Sequence, residues 1–430
     1  ACNPRPMYEL LKPNILDIEH LFLTDFLNMT NYEVTLPELT KARTDLITII
    51  NDEITTDEKF TPILNVGGRY LYSDSAYPVA RLANALEAGQ QASYQNGNAF
   101  DYGDVGLQVQ WTNDIKTLVK GSYHGNDLGN EFSLEQAWLN YDYDVDKDNM
   151  LSVRIGRQHI ALGMQNQEHS HNWIMGVEPL VMRASVADGW RDDGVDMRWQ
   201  HENGWYAGLG IYDGNSFPSS RSSGLQALNL RLGWQQDNNY LMGSIAHFNV
   251  NGRSTDQQTA LTHTHSQASC EQAVVNMVCF AGDSQLAVLA GQWAFPHYKT
   301  TLNGEAWLKQ EQGDLFSQTA KVDYQGIISG AWLLADYQIV RQLHSFLRWE
   351  TLQARHQLTG ANAALVATEA GIAQSSERPY RVGIGMMWTD DKGVRISLET
   401  HHEKINQQSN QILLLRYQVD LWTKVINNKF

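Results

Sequence analysis

The chain has 430 residues, 42% of them hydrophobic, with 48 acidic against 32 basic side chains and a formal net charge of -16. This apolar content excludes a disordered chain, and the acidic balance argues against a nucleic-acid partner, because such binding depends on neutralising phosphates with Lys and Arg. No run of about 20 apolar residues predicts a membrane-spanning helix, although a β-barrel would escape this criterion because its lipid-facing residues alternate with polar ones.

Residues 1–60 have a helical pattern. Apolar residues recur at three- and four-residue steps from Tyr8 to Phe22 and again from Leu39 to Ile50, which predicts two helices. The chain begins at Ala1, which is expected either of an exported protein that has lost its signal peptide or of a trimmed chain.

From residue 61 to residue 430, segments of about ten residues alternate apolar and polar side chains and are separated by Gly, Asn and Asp clusters. In one of them, Val195, Met197 and Trp199 share one face, and Asp196 and Arg198 share the other. Counting gives about 17 segments of about 9 to 11 residues, the length a tilted strand needs to cross a bilayer. The sequence therefore predicts an all-β fold, a transmembrane antiparallel β-barrel of about 16–18 strands.

The polar faces of these strands would line a water-filled lumen, where charges at the narrowest section set ion selectivity. The predicted pore-lining residues are Asp104, Arg154, Gln158, Asp196, Arg198, Arg348, Glu350, Arg395, Glu399, Arg416 and Asp420. Mixed signs predict a modest preference, and the acidic excess favours cations. Alternatively, many of these charges pair across strands and leave selectivity unchanged.

Long connections alternate with short ones along the barrel region, as in transmembrane barrels. The long connection 160–190 is the candidate constriction loop, with Glu168, Glu178, Arg183 and Asp188 as its polar contributors. Another long connection contains Cys270 and Cys279, whose close spacing predicts a disulfide in an oxidising compartment, with two free thiols as the alternative. Cys2 is left over, as an unpaired thiol or, if Ala1 belongs to a precursor, a lipidation site.

Histidines in the long connections give a second hypothesis. His169 and His171 form one His-x-His pair, and His263 and His265 form another. Imidazoles are the commonest transition-metal ligands, so two pairs meeting outside the barrel would capture zinc or copper. Chance enrichment of histidine in exposed loops is the alternative, and no other cofactor is predicted.

Enzymatic motifs are absent from the sequence. It contains no phosphate-binding Gly-Lys-Ser/Thr loop, no Gly-x-Ser-x-Gly nucleophile elbow and no His-Glu-x-x-His zinc motif. We therefore predict a non-enzyme. Two other classes stay open, a barrel hydrolase built from scattered Ser, His and Asp, and a soluble ligand-binding β-protein.

Two stretches resemble Gram-negative porins, especially the group that includes the phosphate-selective porins O and P. The first runs from Leu134 to Gly163 and contains Leu-Glu-Gln-Ala-Trp-Leu-Asn-Tyr and then Leu-Ser-Val-Arg-Ile-Gly-Arg-Gln; the second is Arg191-Asp-Asp-Gly-Val-Asp-Met-Arg-Trp. The resemblance implies a barrel in the outer membrane of a Gram-negative bacterium, in contact with its lipid, passive transport and often a homotrimer.

The combined prediction is a porin for small hydrophilic solutes or ions, with a modest cation preference. Residues 1–60 form a helical periplasmic segment, and residues 61–430 form the barrel with long extracellular loops. Three arrangements of the helical segment stay open: a periplasmic accessory that contacts a partner or oligomerises, a plug in the lumen, or packing against the base of the barrel. Its acidic side chains favour the first. The alternative function is an outer-membrane receptor or uptake channel that captures zinc or copper with its His-rich loops.

Overall fold

A computed structural model describes residues 59–78, 82, 86, 94–124, 131–187, 189–214, 216–219, 225–254, 270, 278–373, 378–390 and 393–420. The helices predicted within residues 1–60 fall outside the described residues, so the division into two domains stays a prediction. Four predicted residues of interest also lie outside them, namely Cys2, Asp188, His263 and His265.

The described strands form one closed antiparallel barrel of sixteen strands, in which consecutive strands pair and β1 closes the barrel against β16. The predicted strand number is confirmed. The strands are β1 (Phe60–Ser73), β2 (Gly97–Gln110), β3 (Ile115–His124), β4 (Glu131–Asp144), β5 (Asn149–His159), β6 (Arg191–His201), β7 (Trp205–Tyr212), β8 (Ala227–Gln236), β9 (Asn239–Ser254), β10 (Cys279–Phe295), β11 (Thr300–Phe316), β12 (Lys321–Val340), β13 (Leu343–Thr359), β14 (Tyr380–Thr389), β15 (Val394–Ile405) and β16 (Gln408–Asp420).

In the described part of the chain, two short α-helices lie in connections between strands. Helix α1 (Leu180–Val186) is in the β5–β6 connection and helix α2 (Ala363–Glu369) is in the β13–β14 connection. Within the described ranges, no helix combines the length and the apolar character needed to cross a bilayer.

The polarity of the barrel is the reverse of that of a soluble protein. On β8, Leu228, Leu230 and Leu232 are exposed, whereas the alternate residues Asn229 and Arg231 are buried. On β15, Leu398 is likewise exposed and Glu399 buried, because successive side chains of a strand point to opposite faces of the sheet. The inner face of β12 is instead largely apolar, with Ile328 and Trp332 buried. An apolar outer face around a closed sheet is the arrangement that hydrocarbon requires, because neighbouring strands of a closed barrel satisfy one another's N–H and C=O groups.

The two ends of the barrel differ in the length of their connections. At one end, all seven connections between strands contain two to four residues. At the other end lie the long connections, including 160–190, although two short ones, 317–320 and 406–407, also occur there. In the two-residue connection 406–407, Asn406 and Gln407 both have positive φ, 52° and 64°, as the tightest hairpin turns require. The predicted asymmetry therefore holds with these two exceptions.

Aromatic side chains lie near strand ends on the outer face. Tyr70, Tyr72, Tyr141 and Trp205 are all exposed, as expected for residues at the two membrane interfaces. Tyr206 is instead buried, because it follows Trp205 directly and so points into the barrel.

The predicted disulfide is present. Cys270 and Cys279 are joined by an S–S bond of 2.03 Å, and Cys279 is the first residue of β10. The bond therefore ties the end of the long β9–β10 connection to the barrel wall.

Candidate functional site

The connection between β5 and β6, residues 160–190, folds into the barrel and packs against its inner wall. All seven residues of α1 are buried. Leu180 and Val181 belong to a hydrophobic cluster that also contains Trp307 of β11 and Trp332 of β12. Gly330 of β12 allows this approach, since a Cβ added there would lie 2.9 Å from the Cβ of Val181.

Charged side chains of β13 and β14 bind the backbone just before α1. The Nη2 of Arg348 donates to the Val177 carbonyl at 2.6 Å, and the Nη1 of Arg381 donates to the Glu178 carbonyl at 2.7 Å. The Leu180 N–H donates to the Glu350 carboxylate at 2.6 Å. Buried backbone groups need such partners, and a hydrogen bond to a charged group contributes about 1.5–3 kcal/mol.

The same arrangement continues on β15 and β16. The Gly176 N–H donates to Glu399 Oε1 at 2.8 Å, and Arg416 Nη2 donates to the Ile174 carbonyl at 2.9 Å. Glu399 and Arg416 also pair with each other at 3.1 Å. The wall therefore holds the segment by its backbone with charges that neutralise one another.

On β11, two further charged residues bind the two ends of the docked stretch. Glu305 Oε1 accepts from the Gln165 N–H at 2.9 Å, and Lys309 Nζ donates to the Ala184 carbonyl at 2.8 Å. We call Glu305, Lys309, Arg348, Glu350, Arg381, Glu399 and Arg416 together the docking wall.

Asn166 holds the two ends of the inward segment together by hydrogen bonds. Its Nδ2 donates to the Ile160 carbonyl at 2.8 Å and to the Trp190 carbonyl at 3.0 Å, and its Oδ1 accepts from the Trp190 N–H at 2.6 Å. One buried side chain thus joins the first and last residues of the segment.

A second part of the wall carries arginines whose contacts include aromatic rings and one carboxylate of the same wall. We call Arg154, Asp196, Arg198 and Arg231, on β5, β6 and β8, the arginine wall. Asp196 accepts from Arg231 Nη1 at 2.7 Å and from the Tyr212 hydroxyl at 2.7 Å. The guanidinium of Arg198 lies 4.2 Å from the Tyr206 ring centroid, and that of Arg154 lies 4.2 Å from the Trp138 ring centroid.

The eleven predicted pore-lining residues all lie on described strands, at positions of the inward-facing parity. Six of them hydrogen-bond to residues 160–190, namely Asp104, Arg348, Glu350, Arg395, Glu399 and Arg416. Gln158 is buried in β5, Asp420 ends β16, and Arg154, Asp196 and Arg198 form most of the arginine wall. Their influence on selectivity stays a prediction.

Of the predicted constriction residues, Glu168, Glu178 and Arg183 lie in the inward segment, and Asp188 is outside the described residues. Arg183 is buried within α1. Burial raises the pKa of the Glu168 carboxyl group, with Arg395 and Lys120 opposing this shift.

Sequence reasoning missed four charged residues that hold the segment or its contacts: Glu135, Glu305, Lys309 and Arg381. They lie in strands whose alternation is less regular in sequence. The missed signal was the recurrence of charged residues at positions of one parity, as at Glu305, Lys309 and Glu311 of β11, all of which are buried.

His169 and His171 of the segment contact two different carboxylates on the barrel wall. His171 Nε2 lies 2.8 Å from Asp104 Oδ2, and the His171 ring stacks on Tyr102 with centroids 3.7 Å apart. His169 Nε2 instead lies 3.3 Å from Glu135 Oε2. Burial lowers the pKa of the His169 imidazole well below its usual range, which favours the neutral ring. The predicted meeting with His263 and His265 falls outside the described residues.

The sequence matches no known family profile and no curated protein. Among solved structures, the chain is similar to the outer membrane channel DcaP of Acinetobacter baumannii, with a TM-score of 0.53 and 10% identity over 84% of this chain and 96% of that one. It is also similar to an anion-selective porin from Comamonas acidovorans, with a TM-score of 0.52 and 11% identity over 84% of this chain and 98% of that one. OprB of Pseudomonas putida gives a TM-score of 0.52 and 11% identity over 86% of this chain and 95% of that one. The chain thus shares the fold of these outer-membrane channels and porins, and its own barrel has sixteen strands.

Proposed function

We propose that the protein is an outer-membrane porin of a Gram-negative bacterium, a passive channel for small hydrophilic solutes or ions. The observation that carries the proposal is a closed barrel with an apolar outer face, charged residues on its inner face and a long connection bound to the inside of its wall. Porins narrow the lumen by such means, and charges near the narrow section then act on permeating ions at short range. The fold shared with channels and porins supports the proposal.

Passive diffusion needs no catalytic step, so the proposal assigns no catalytic residue. Residues 1–60 are proposed as a periplasmic segment, since β1 begins and β16 ends at the barrel end that carries the short turns. Two further parts of the proposal follow from the sequence resemblance: membership of the group of porins O and P, and assembly as a homotrimer.

Two ion preferences are candidates for this channel, one for cations and one for anions. The modest cation preference rests on the net charge of -16. An anion preference is favoured by the arginine wall, where the guanidinium groups of Arg154, Arg198 and Arg231 lie on the inner face of β5, β6 and β8. Charges closest to the permeating ion count most, because the Debye length is only about 8–10 Å at physiological ionic strength.

The test is single-channel recording with detergent-purified protein in a planar bilayer, first in symmetric KCl and then under a salt gradient. We expect stable ohmic steps, and the sign of the reversal potential decides between the two directions. Protein boiled to unfold the barrel is the control. An absence of steps from folded protein, confirmed by its faster migration on unboiled gels, would contradict the proposal.

A further inference from the structure

Three side chains from different parts of the chain meet where the inward segment touches β3 and β4. They are His124 at the end of β3, Glu135 in β4 and His169 in the segment 160–190. One potential ligand atom from each lies within 4.8 Å of the others. This cluster lies apart from the docking wall and the arginine wall, and the channel proposal does not use it.

The distances within the cluster fit ligands around one metal ion. His124 Nε2 lies 3.5 Å from Glu135 Oε1, and His169 Nε2 lies 3.3 Å from Glu135 Oε2. Zinc binds imidazole nitrogen and carboxylate oxygen at about 2.0–2.2 Å, so two ligands in a tetrahedral site are about 3.3–3.6 Å apart.

Neighbouring side chains hold the ligands in place. The carboxylate of Glu135 accepts hydrogen bonds from Ser133 and from Arg191. Ser170 Oγ lies 3.4 Å from His169 Nδ1, on the ring nitrogen opposite the one that faces Glu135. Metal-binding imidazoles and carboxylates are commonly oriented in this way.

His159, the last residue of β5, provides independent support. Its two ring nitrogens are closed to solvent, and among the described residues neither has a hydrogen-bond partner. Its ring centroid lies 5.8 Å from that of His169. A buried, unpartnered imidazole is costly unless something binds it, and a metal ion beside His169 would do so.

We propose that His124, Glu135 and His169 form a binding site for a divalent transition-metal ion of the zinc type, with His159 as the fourth ligand. Two or three neutral imidazoles and one carboxylate suit zinc, whereas calcium and magnesium prefer oxygen ligands. The bound ion joins the inward segment to β3 and β4, on the side of the lumen where the docking wall does not reach. Arg191 beside Glu135 and Lys120 beside Asp104 place positive charge near the site, so we expect micromolar affinity.

The test is zinc binding to the full chain in detergent, measured by competition with a chromophoric chelator after removal of bound metal. We expect one zinc ion per chain, and Co²⁺ in its place should give the intense visible absorption of tetrahedral coordination. His169→Ala and Glu135→Gln should each weaken binding at least about tenfold. His124→Ala should do the same, and it is the safest variant for folding because this side chain is 30% exposed. His159→Ala should give a smaller loss.

Two matched controls locate the binding. His344→Ala removes another histidine that faces a carboxylate, Asp336 at 2.9 Å, and should leave zinc affinity unchanged. The double variant His263→Ala/His265→Ala should also leave it unchanged. Zinc binding that persists undiminished in His169→Ala and His124→Ala, or is lost only in the double variant, would overturn the proposal. Because binding is measured without conductance, a failure here is distinguishable from a failure of the porin function.

Discussion

The docking wall and the arginine wall are built by the same alternation of side chains but use their charges differently. In the docking wall, Arg348, Glu350 and Arg381 are connected by ion pairs of 3.1–3.2 Å, and all three hydrogen-bond to the backbone of the inward segment. In the arginine wall, the described contacts of Arg198 and Arg231 run to an aromatic ring and to Asp196. The first wall thus fixes a structural element inside the lumen, and we propose that the second acts on what passes through it.

The largest expected effect is on conductance when the docked element is removed. We expect replacement of residues 165–186 by a short Gly-Ser linker to raise single-channel conductance several-fold, because the free cross-section of the lumen increases. Planar bilayer recording measures this. The faster migration of folded barrels on unboiled gels shows that the variant has folded, and an unchanged conductance in folded protein would show that the segment does not limit flow.

Removing one charge of the docking wall should release the segment while leaving it in the chain. Glu350→Ala leaves Arg348 and Arg381 without a shared carboxylate and the Leu180 N–H without its acceptor. Breaking a buried ion pair in this way costs about 3–5 kcal/mol. We expect protease cleavage within residues 160–190 and noisier open-channel current.

The matched control for Glu350→Ala is Asp314→Asn, which breaks the more exposed pair with Lys321 at 3.0 Å. Exposed pairs contribute about 0–1 kcal/mol, so protease resistance and current noise should stay as in the unmodified protein. Equal sensitivity of the two variants would argue that the docking wall does not hold the segment.

Charge changes in the arginine wall should alter selectivity rather than docking. Arg198→Gln should shift the reversal potential towards cations and Asp196→Asn should shift it towards anions, because each removes one charge beside the lumen. Neither should increase protease cleavage. An unchanged reversal potential in both variants would show that other charged residues set the ion selectivity.

The smallest effect is expected from the disulfide between Cys270 and Cys279. It closes a short loop at the edge of β10, distant in sequence from both walls. Reduction with dithiothreitol should therefore leave conductance and reversal potential unchanged, although the reduced loop becomes easier to cleave. A change in conductance on reduction would show that the β9–β10 connection influences ion flow through the channel.

The features that depend on local pattern were predictable from the sequence. Strand number, the inward position of Asp196 and Arg198, and the length of the 160–190 connection all follow from a period of two and the spacing of turn residues. Contacts across the lumen were not predictable, because they depend on the path of the segment through space. The partnership of Arg381 with the Glu178 carbonyl, and that of His169 with Glu135, join residues far apart in sequence.

The central claim is that the segment 160–190 is bound to the inner wall of the barrel. The most direct test is disulfide cross-linking of Val181→Cys with Gly330→Cys in a Cys2→Ser background. Cβ atoms at these positions lie 2.9 Å apart, and a disulfide needs about 3.5–4.5 Å, so a small shift of α1 suffices. We expect mild oxidation to join the two positions in folded protein, with the cross-linked peptides identified by mass spectrometry. We expect no cross-link between Val181→Cys and Gly291→Cys of β10. Absence of the first cross-link, or equal yields of both, would show that the segment is not bound to the wall at α1.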